Sequence, residues 1–503
     1  MDLYLAEKDR RIIPRWRDFR ATRATGELDS HALHGVRAVE SGAFFEEKMQ
    51  EWRATRSIES AADLVASAWV LGRSAEAHDA AQFLLEHAEE TTPAVRSVAE
   101  TMLRPPSVEA PVAPMTGGAD VDAQVFRLKV KALRSELNES PRNSILWVDL
   151  ARAYTMLGQN RQSMRAMDRA VKLAPDNRFV LRSAARLFVH LEEPDRADDL
   201  LRQNPATKRD PWLLAAEIAV ASVASRTSPF VRAARQILAR GSYRHLDTAE
   251  LASAVATLDM SAGDGRKARQ MFRESLIEPN DNAVAQVGWA GRKLSGLELD
   301  AHALATPRSF EARAWDGFQT GDWPVAIGNC GEWLLDEPFS SRPAELGSYL
   351  AGVAQEDYRL SEEFARRGLT ANPGETILVN NLVVALANQD KLAEAEKLFA
   401  EVARPAAMRR AEATLLATEG LLRFRGGDPK GGRDRYLAAI VAANDPSLRR
   451  VRAMAALHLL REELIAGSPD FVRDIGIAER ECSGVDNADV RWLWKRLSRK
   501  VQS

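Results

Sequence analysis

The chain has 503 residues, several times the length of an ordinary single domain, so we expect several units or a set of repeats. Hydrophobic residues make up 45% and charged residues 28%, which excludes a disordered chain, and 71 acids against 69 bases exclude an overall basic, polyanion-binding charge. Two cysteines exclude a disulfide-stapled secreted fold, and the sequence predicts neither a signal peptide nor a membrane span. We therefore expect a cytoplasmic protein without a membrane partner.

Residues 1–104 predict a helical N-terminal unit with one degenerate repeat. Residues 1–24 predict an arginine-rich helix interrupted by Pro14, and residues 30–56 predict an amphipathic helix. Three apolar residues of the second helix fit either an exposed docking stripe or a cap on the first repeat: Phe44, Phe45 and Met49.

A proline-rich linker is predicted at 105–121, where apolar periodicity stops. The chain beyond it is too long for one core, so we expect a repeat stack over 122–446. Helices at 447–503 are expected to close that stack.

The repeat is visible in the phase of the glycines that interrupt helices, which are Gly72, Gly158, Gly263, Gly321 and Gly427. Five residues after each glycine stands a small residue: Ala77, Ser163, Ala268, Ala326 and Gly432. Nine residues after the same glycines stand Ala81, Met167, Phe272, Cys330 and Tyr436. Seven residues before them stand Val65, Ala151, Ala256, Ala314 and Gly420. Small residues on both helices let the backbones approach, and glycine permits the turn, so the pattern predicts helical hairpins.

This pattern resembles the tetratricopeptide repeat family. The best copy is 144–177, where eight residues match the family's pattern: Trp147, Leu150, Ala151, Tyr154, Gly158, Met167, Ala170 and Pro175. The copy at 376–409 is next best, a degenerate copy is expected at about 212–245, and helices look shortened at 283–306. The resemblance implies an all-α, right-handed α-solenoid of helical hairpins whose concave face, lined by the first helices, binds extended peptides.

The same resemblance implies a partner-binding groove. Asn381 matches the position where the family presents an asparagine to a peptide main chain, and Asn380 lies beside it. An asparagine inside a helical run disfavours the helix, which supports a role for it. We expect Arg409 and Arg410, on the following helix, to join this groove. A solvated side chain or a helix-to-helix hydrogen bond explains Asn381 equally well, and both interpretations stay open.

Three basic stretches support an alternative, a nucleic-acid-associated regulator that uses the basic C-terminal third. Residues 8–23 interleave arginines with aromatics, residues 402–461 carry twelve bases against five acids, and the tail is basic around Trp492 and Trp494. Arginines that cover outer helix faces explain the same composition. The two tryptophans cannot share one helical face, so at least one is expected to contact a partner or an earlier helix.

No catalytic constellation appears, so we expect no enzyme, cofactor or metal site. His31 and His34 have a ligand-like spacing, but a solvated helix start explains them better. The glycine-rich run 426–432 lacks the spacing of a phosphate-binding loop and coincides with a repeat turn, and Cys330 fits a buried core position. The sequence therefore predicts a non-catalytic scaffold or adaptor subunit of a bacterial multiprotein complex, which binds an extended or helical segment of another protein.

Overall fold

A computed structural model describes residues 10–19, 22, 38–71, 74–103, 119–402 and 405–502. The regular structure of these ranges is helical, with 26 α-helices and no strand. The first four helices share an apolar core of their own, to which Phe45, Met49 and Trp52 contribute. Their bounds are α1 (Ala38–Thr55), α2 (Ile58–Leu71), α3 (His78–Glu86) and α4 (Pro93–Leu103).

From Ala119 onward, α5 (Ala119–Glu139) is followed by antiparallel hairpins. The first helices of the hairpins are α6 (Ser144–Met156), α8 (Arg178–His190), α10 (Pro211–Val223), α12 (His245–Ser261), α14 (Asp281–Gly291), α16 (Phe310–Thr320), α18 (Ser341–Leu350), α20 (Thr376–Ala387), α22 (Pro405–Arg425) and α24 (Arg449–Ala466). The second helices are α7 (Asn160–Leu173), α9 (Pro194–Gln203), α11 (Val231–Arg240), α13 (Gly265–Glu274), α15 (Ala301–Leu304), α17 (Trp323–Asp336), α19 (Tyr358–Ala371), α21 (Leu392–Val402), α23 (Pro429–Ala442) and α25 (Phe471–Cys482). The last helix is α26 (Ala488–Gln502).

The predicted turn glycines adopt the backbone conformation that the hairpins require. Gly158, Gly263, Gly321 and Gly427 have φ between +66° and +84°, a region that side-chain-bearing residues rarely enter. Gly72 lies outside the described residues. The glycine-rich run 426–432 therefore forms the turn between α22 and α23 at residues 426–428 and the first residues of α23 at 429–432.

The helices of each hairpin cross closely at the small residues of the repeat pattern. Ala151, Ala256 and Ala314 on first helices and Ala268 and Ala326 on second helices are fully buried. The close approach is visible at Gly317 of α16, where a Cβ would lie 2.8 Å from the amide nitrogen of Ala326 on α17. The repeat pattern read from the sequence is thereby confirmed as a set of helix crossings.

The stack closes into one complete turn between α5 and α19. Arg367 of α19 bonds to Asp122 of α5 at 3.1 Å, and the turn at Gly158 lies against the main-chain oxygen of Thr370. Phe339 and Ala371 join the apolar cluster of α6, α8 and α10. We call the helices from α5 to α19 the closed turn, and the space enclosed by their first helices the lumen.

The described residues correct part of the expected N-terminal organisation. Residues 11–18 are not helical, so the helix predicted over 1–24 is wrong there. Most of the predicted linker, 105–121, lies outside the described residues, and Ala119 already belongs to α5. The exposed-stripe interpretation is wrong for Phe45 and Met49, which are buried.

Helices α24, α25 and α26 lie within 447–503, and α26 packs back on α16 and α24. The degenerate copy near 212–245 is present as α10 and α11, and the shortened helices at 283–306 are α14 and the single-turn α15. Among the described residues, no helix is long and apolar enough to cross a membrane.

Candidate functional site

Residues 10–19, called the N-terminal segment below, run through the lumen in a largely extended conformation. Pro14 favours this conformation because it cannot continue a helix and restricts the residue before it. The side chains of Ile12 and Trp16 are 1% and 0% exposed, and the Trp16 ring lies 5.2 Å from that of Phe339. The first helices of the closed turn therefore surround a bound peptide that belongs to the same chain.

Side-chain amides and one guanidinium of the stack bond to the main chain of the segment. Asn282 and Gln286, both on α14, donate to the carbonyl oxygens of Ile13 at 2.9 Å and of Arg10 at 3.1 Å. The guanidinium of Arg152 on α6 donates to the carbonyl oxygen of Trp16 at 3.0 Å. Such contacts hold an extended main chain whatever its side chains are.

The Arg15 guanidinium lies among three buried carboxylates of the stack. It bonds to Asp281 at 3.0 Å, to Glu311 at 2.5 Å and to Glu337 at 2.7 Å. All four side chains are at most 7% exposed, so water replaces none of these contacts. Charge-assisted bonds in such a dry site are among the strongest polar contacts in a protein.

The other two buried arginines of the segment extend this network. Arg17 contacts Asp281 and Asp336 at 2.7 Å each, and Arg10 contacts Glu311 at 2.9 Å. The three arginines thus connect a carboxylate of α14 with carboxylates of the next hairpin, on α16 and at the end of α17.

The arginines of the segment lower the pKa values of two lumen carboxyls, those of Glu311 and Glu337. Burial alone would raise the pKa of Glu311, but the charges of Arg10, Arg342 and Arg15 hold it well below its ordinary value. Burial likewise opposes ionisation of Glu337, and Arg15 is the strongest of the charges that lower its pKa. The acidic groups of the lumen are therefore balanced by the bound arginines together with arginines of the stack such as Arg186 and Arg342.

A second part of the concave face is open. A cavity of about 160 Å³ lies among α18, α20, α22 and α24, and we call it the open cavity. Its lining combines apolar side chains such as Val384 and Met454 with Asn380, Asn381 and His458. The structure thus brings the two predicted asparagines together at one cavity.

Each asparagine uses part of its amide within the fold. The Oδ1 of Asn380 accepts a bond from the Thr418 hydroxyl at 2.8 Å, and the Nδ2 of Asn381 donates to the Glu345 carbonyl oxygen and to the Ser348 hydroxyl. The helix-to-helix interpretation of Asn381 is therefore confirmed. Within the described residues, the Nδ2 of Asn380 and the Oδ1 of Asn381 have no hydrogen-bond partner, and both residues line the cavity.

His458 gives the cavity a neutral imidazole. Burial and the neighbouring charge of Arg461 lower the pKa of His458 to about 4. At neutral pH, its ring adds one donor and one acceptor to the cavity without adding charge.

Solved structures with similar folds include yeast Tom70, the Cut9–Hcn1 hetero-tetramer of the APC/C, and a human IFIT1 dimer with PPP-AAAA. Tom70 has 13% identity and a TM-score of 0.29 over 88% of this chain and 96% of its own. Cut9–Hcn1 has 12% identity and a TM-score of 0.43, and the match covers 92% of this chain and 88% of its own. IFIT1 has 13% identity and a TM-score of 0.36, and the match covers 76% of this chain and 95% of its own. No protein-family model and no curated protein sequence matches this chain.

All three solved structures are tetratricopeptide-repeat proteins. Their TM-scores lie below 0.5, so the repeat type is assigned from the glycine turns and close helix crossings of this chain. The fold is a tetratricopeptide-like α-solenoid.

The remaining predicted binding residues have different places in the solenoid. Arg409 and Arg410 belong to α22, but their side chains lie outside the described residues. Trp492 packs edge-on against Trp323 of α17, with 6.0 Å between ring centroids, so one tryptophan contacts an earlier helix as expected. Trp494 is partly buried against the C-terminal apolar cluster.

The basic stretches are largely engaged inside the solenoid. Arg10, Arg15 and Arg17 from 8–23 are buried, so these three arginines neither offer a surface to a nucleic acid nor cover an outer helix face. Seven of the twelve bases in 402–461 have a carboxylate partner: Arg423, Arg425, Arg433, Arg435, Arg450, Arg452 and Arg461. These arginines stabilise the stack and leave little charge for a polyanion.

Other candidate sites of the sequence have structural explanations or fall outside the description. Cys330 is fully buried and burial raises its pKa, as a core position requires. His31 and His34 lie outside the described residues. Within the described ranges, no three His, Cys, Asp or Glu side chains are grouped so as to hold a metal ion.

Sequence reasoning missed the lumen site and its polar residues: Asn282, Gln286, Asp281, Glu311 and Glu337. The available signal was Pro14, which makes a helix through 10–19 unfavourable, together with arginines placed around the apolar Ile12 and Trp16. That pattern fits an extended segment buried on several sides better than a solvated helix.

Proposed function

We propose that this protein is a non-catalytic scaffold or adaptor that binds extended segments of another protein on its concave face. The observation that carries the proposal is the N-terminal segment, which is held as an extended peptide by amide side chains of a first helix. Repeat stacks offer such concave surfaces because each hairpin presents its first helix to the inside.

The open cavity is the proposed position for the partner. The Nδ2 of Asn380 can donate to a main-chain carbonyl and the Oδ1 of Asn381 can accept from a main-chain amide, which is the pairing an extended peptide offers. A cavity of about 160 Å³ is large enough for one bulky apolar side chain beside that main chain. Arg409 and Arg410 of the adjoining α22 are proposed to contact the same segment.

We further propose that the complex is bacterial and cytoplasmic, because alanine and arginine usage suggests a GC-rich bacterial genome. The nucleic-acid alternative is not favoured, since most of the arginines on which it depended are paired with carboxylates.

Site-specific crosslinking in the native host tests the proposal. A photo-crosslinking residue replaces Val384 in the open cavity or, as the control position, Val441, which is 74% exposed on the second helix α23. We expect one protein to be captured in near-stoichiometric amounts from Val384 and not from Val441. Mass spectrometry of the crosslinked peptide then identifies the bound segment.

The asparagines are tested in the same experiment. We expect the double substitution Asn380→Ala and Asn381→Ala to lower capture roughly 10-fold or more, since two buried hydrogen bonds to the partner are lost. Asn329→Ala is the matched control, because Asn329 bonds within its own second helix. Unchanged capture by the double variant would overturn the proposed site.

A further inference from the structure

We propose that the lumen is a binding site for an extended, arginine-rich segment of a partner protein, and that residues 10–19 occupy it in cis. The recognised chemistry is a main chain in extended form with arginines at the spacing of Arg10, Arg15 and Arg17 and an aromatic residue at the position of Trp16. The lumen is separate from the open cavity, so experiments on the two sites succeed or fail independently.

The first support is that the stack alone leaves buried carboxylates without a cation. Among the described residues, Asp281 forms ion pairs with Arg15 and Arg17 only, and Glu337 with Arg15 only. Both carboxylates are 2% exposed, and an unpaired ionised carboxylate is very unfavourable in such a place. The charge of Arg186 on α8 also lowers the pKa of Glu337, but among the described residues no arginine or lysine of the stack forms an ion pair with Asp281 or Glu337. A cationic occupant is therefore needed for direct ion pairing at this position.

The other carboxylates of the lumen form ion pairs with arginines of the stack itself. Glu311 also contacts Arg342 of α18, Asp336 also contacts Arg308, and Glu250 contacts Arg182 of α8. These carboxylates keep a partner when the segment leaves. The requirement for an external cation is thus local, centred on the position that Arg15 fills.

The second support is that the segment is recognised as a ligand would be. Its carbonyl oxygens accept from Asn282, Gln286 and Arg152, which come from two helices far apart in the chain. These contacts place no demand on covalent attachment to the rest of the chain. A partner segment with the same arginine spacing satisfies the same donors and the same carboxylates.

The third support is that aromatic contacts fix the register of the segment relative to the first helices. The Trp16 ring is fully buried beside Phe339, and Phe19 lies edge-on to Phe179 of α8 with 5.4 Å between centroids. An occupant shifted by one residue would place an arginine against Phe339 and leave Asp281 unpaired. The lumen therefore selects a sequence pattern as well as positive charge.

The test uses the full chain, so that the stack folds with its own segment in place. A protease recognition sequence flanked by Gly-Ser residues is inserted after Glu27, and the purified protein is cleaved there. The probe is a fluorescent synthetic peptide with the sequence of residues 8–23. We expect the cleaved fragment to stay bound during size exclusion and the probe, added in excess, to replace it at one peptide per chain.

Two control peptides define the recognition. A probe with the Arg15→Ala and Arg17→Ala changes is expected to bind roughly 100-fold more weakly or worse, since it leaves two buried carboxylates unpaired. A scrambled peptide of the same composition is expected to bind as weakly. Circular dichroism and size exclusion of the cleaved protein follow the fold throughout.

Three results would overturn the inference. The first is a cleaved fragment that stays bound and is never replaced by excess probe, which makes the segment a permanent core element. The second is loss of helical structure on cleavage, which has the same meaning. The third is equal binding of the probe and the scrambled peptide, which reduces recognition to non-specific charge.

Discussion

The N-terminal and C-terminal halves of the concave face differ in what lies against their first helices. In the closed turn, the first helices enclose the N-terminal segment and the lumen is filled with ion pairs, as between Arg15 and Glu337. In the C-terminal half, the first helices leave the open cavity, whose lining includes the amides of Asn380 and Asn381. Its charged lining groups, Arg450, Arg461 and Glu356, form ion pairs within the stack. A repeat stack can thus fill one part of its inner surface with a segment of its own chain and leave another part open.

The two regions differ in whether their buried polar groups have partners within the fold when no ligand is bound. Carboxylates in the lumen sit at helix starts and ends from several repeats and cannot remain buried without a cation. The asparagines of the cavity already hold part of their hydrogen bonds within the fold and lose little when the cavity is empty. The closed turn therefore depends on its occupant for stability, whereas the C-terminal half does not.

The largest expected effect on stability is in the closed turn, which is the filled half of the concave face. Arg15→Ala removes the partner of three buried carboxylates, so we expect a loss of about 3–5 kcal/mol in the free energy of unfolding of the closed turn. Urea unfolding followed by circular dichroism measures it. Arg161→Ala is the control, because Arg161 is exposed on α7, and a change within about 0.5 kcal/mol is expected there. Equal effects of the two substitutions would remove the contrast between the halves.

A second effect depends on pH and concerns Glu345 of α18, whose carbonyl oxygen bonds to Asn381. Burial raises the pKa of the Glu345 carboxyl to about 7, above its unfolded value. The stability that its protonated form contributes is present below the unfolded pKa and is lost as pH rises through about 7. We expect Glu345→Gln to be more stable than the wild type near pH 8 by up to about 3 kcal/mol, and similar to it near pH 4.

Thermal unfolding at a series of pH values checks this expectation. Glu139→Gln, at the exposed end of α5, is the control and should follow the wild-type profile. A Glu345→Gln variant that loses stability with rising pH as steeply as the wild type would show that this carboxyl is not the group responsible.

Local and long-range features were unequally predictable from the sequence. The hairpins, the turn at Gly158 and the crossing at Ala151 follow from residues a few positions apart, which one sequence displays directly. The lumen site joins Arg15 to Glu337, 322 positions away, and no local pattern records such a pairing. Asn381 lines the open cavity, but its bond to the Glu345 carbonyl oxygen joins residues 36 positions apart, and the local sequence does not record it.

A third effect on stability tests the close crossing of α22 and α23 in the C-terminal, open half of the stack. A Cβ on Gly420 of α22 would lie 2.7 Å from the Tyr436 ring and 3.0 Å from the carbonyl oxygen of Gly432. We expect Gly420→Ala to cost about 1–3 kcal/mol, because α22 and α23 must separate. Gly476→Ala in α25 is the control, since its Cβ would meet no atom within 4 Å and should stabilise by up to about 1 kcal/mol. Unfolding midpoints in urea compare the two, and a stable Gly420→Ala would contradict the close crossing.

The smallest effect on stability is expected at Asn380, and it separates the two halves most sharply. Asn380→Ala removes one hydrogen bond from Thr418, whose hydroxyl keeps a second acceptor in Thr414, so the expected loss is about 1 kcal/mol or less. Asn282 is the matched residue of the filled half. Its amide bonds to Ile13, to Glu250 and to Arg10, so Asn282→Ala should cost about 2–3 kcal/mol.

Urea unfolding of both variants, with partner capture measured beside it, gives the comparison. If the open cavity is a ligand site, Asn380→Ala lowers capture while it leaves the fold almost unchanged. If instead the two substitutions destabilise the fold equally, Asn380 stabilises the fold as much as Asn282 does. The proposed division between a filled and an open part of the concave face would then fail, because an asparagine kept for a ligand cannot also be essential to the empty fold.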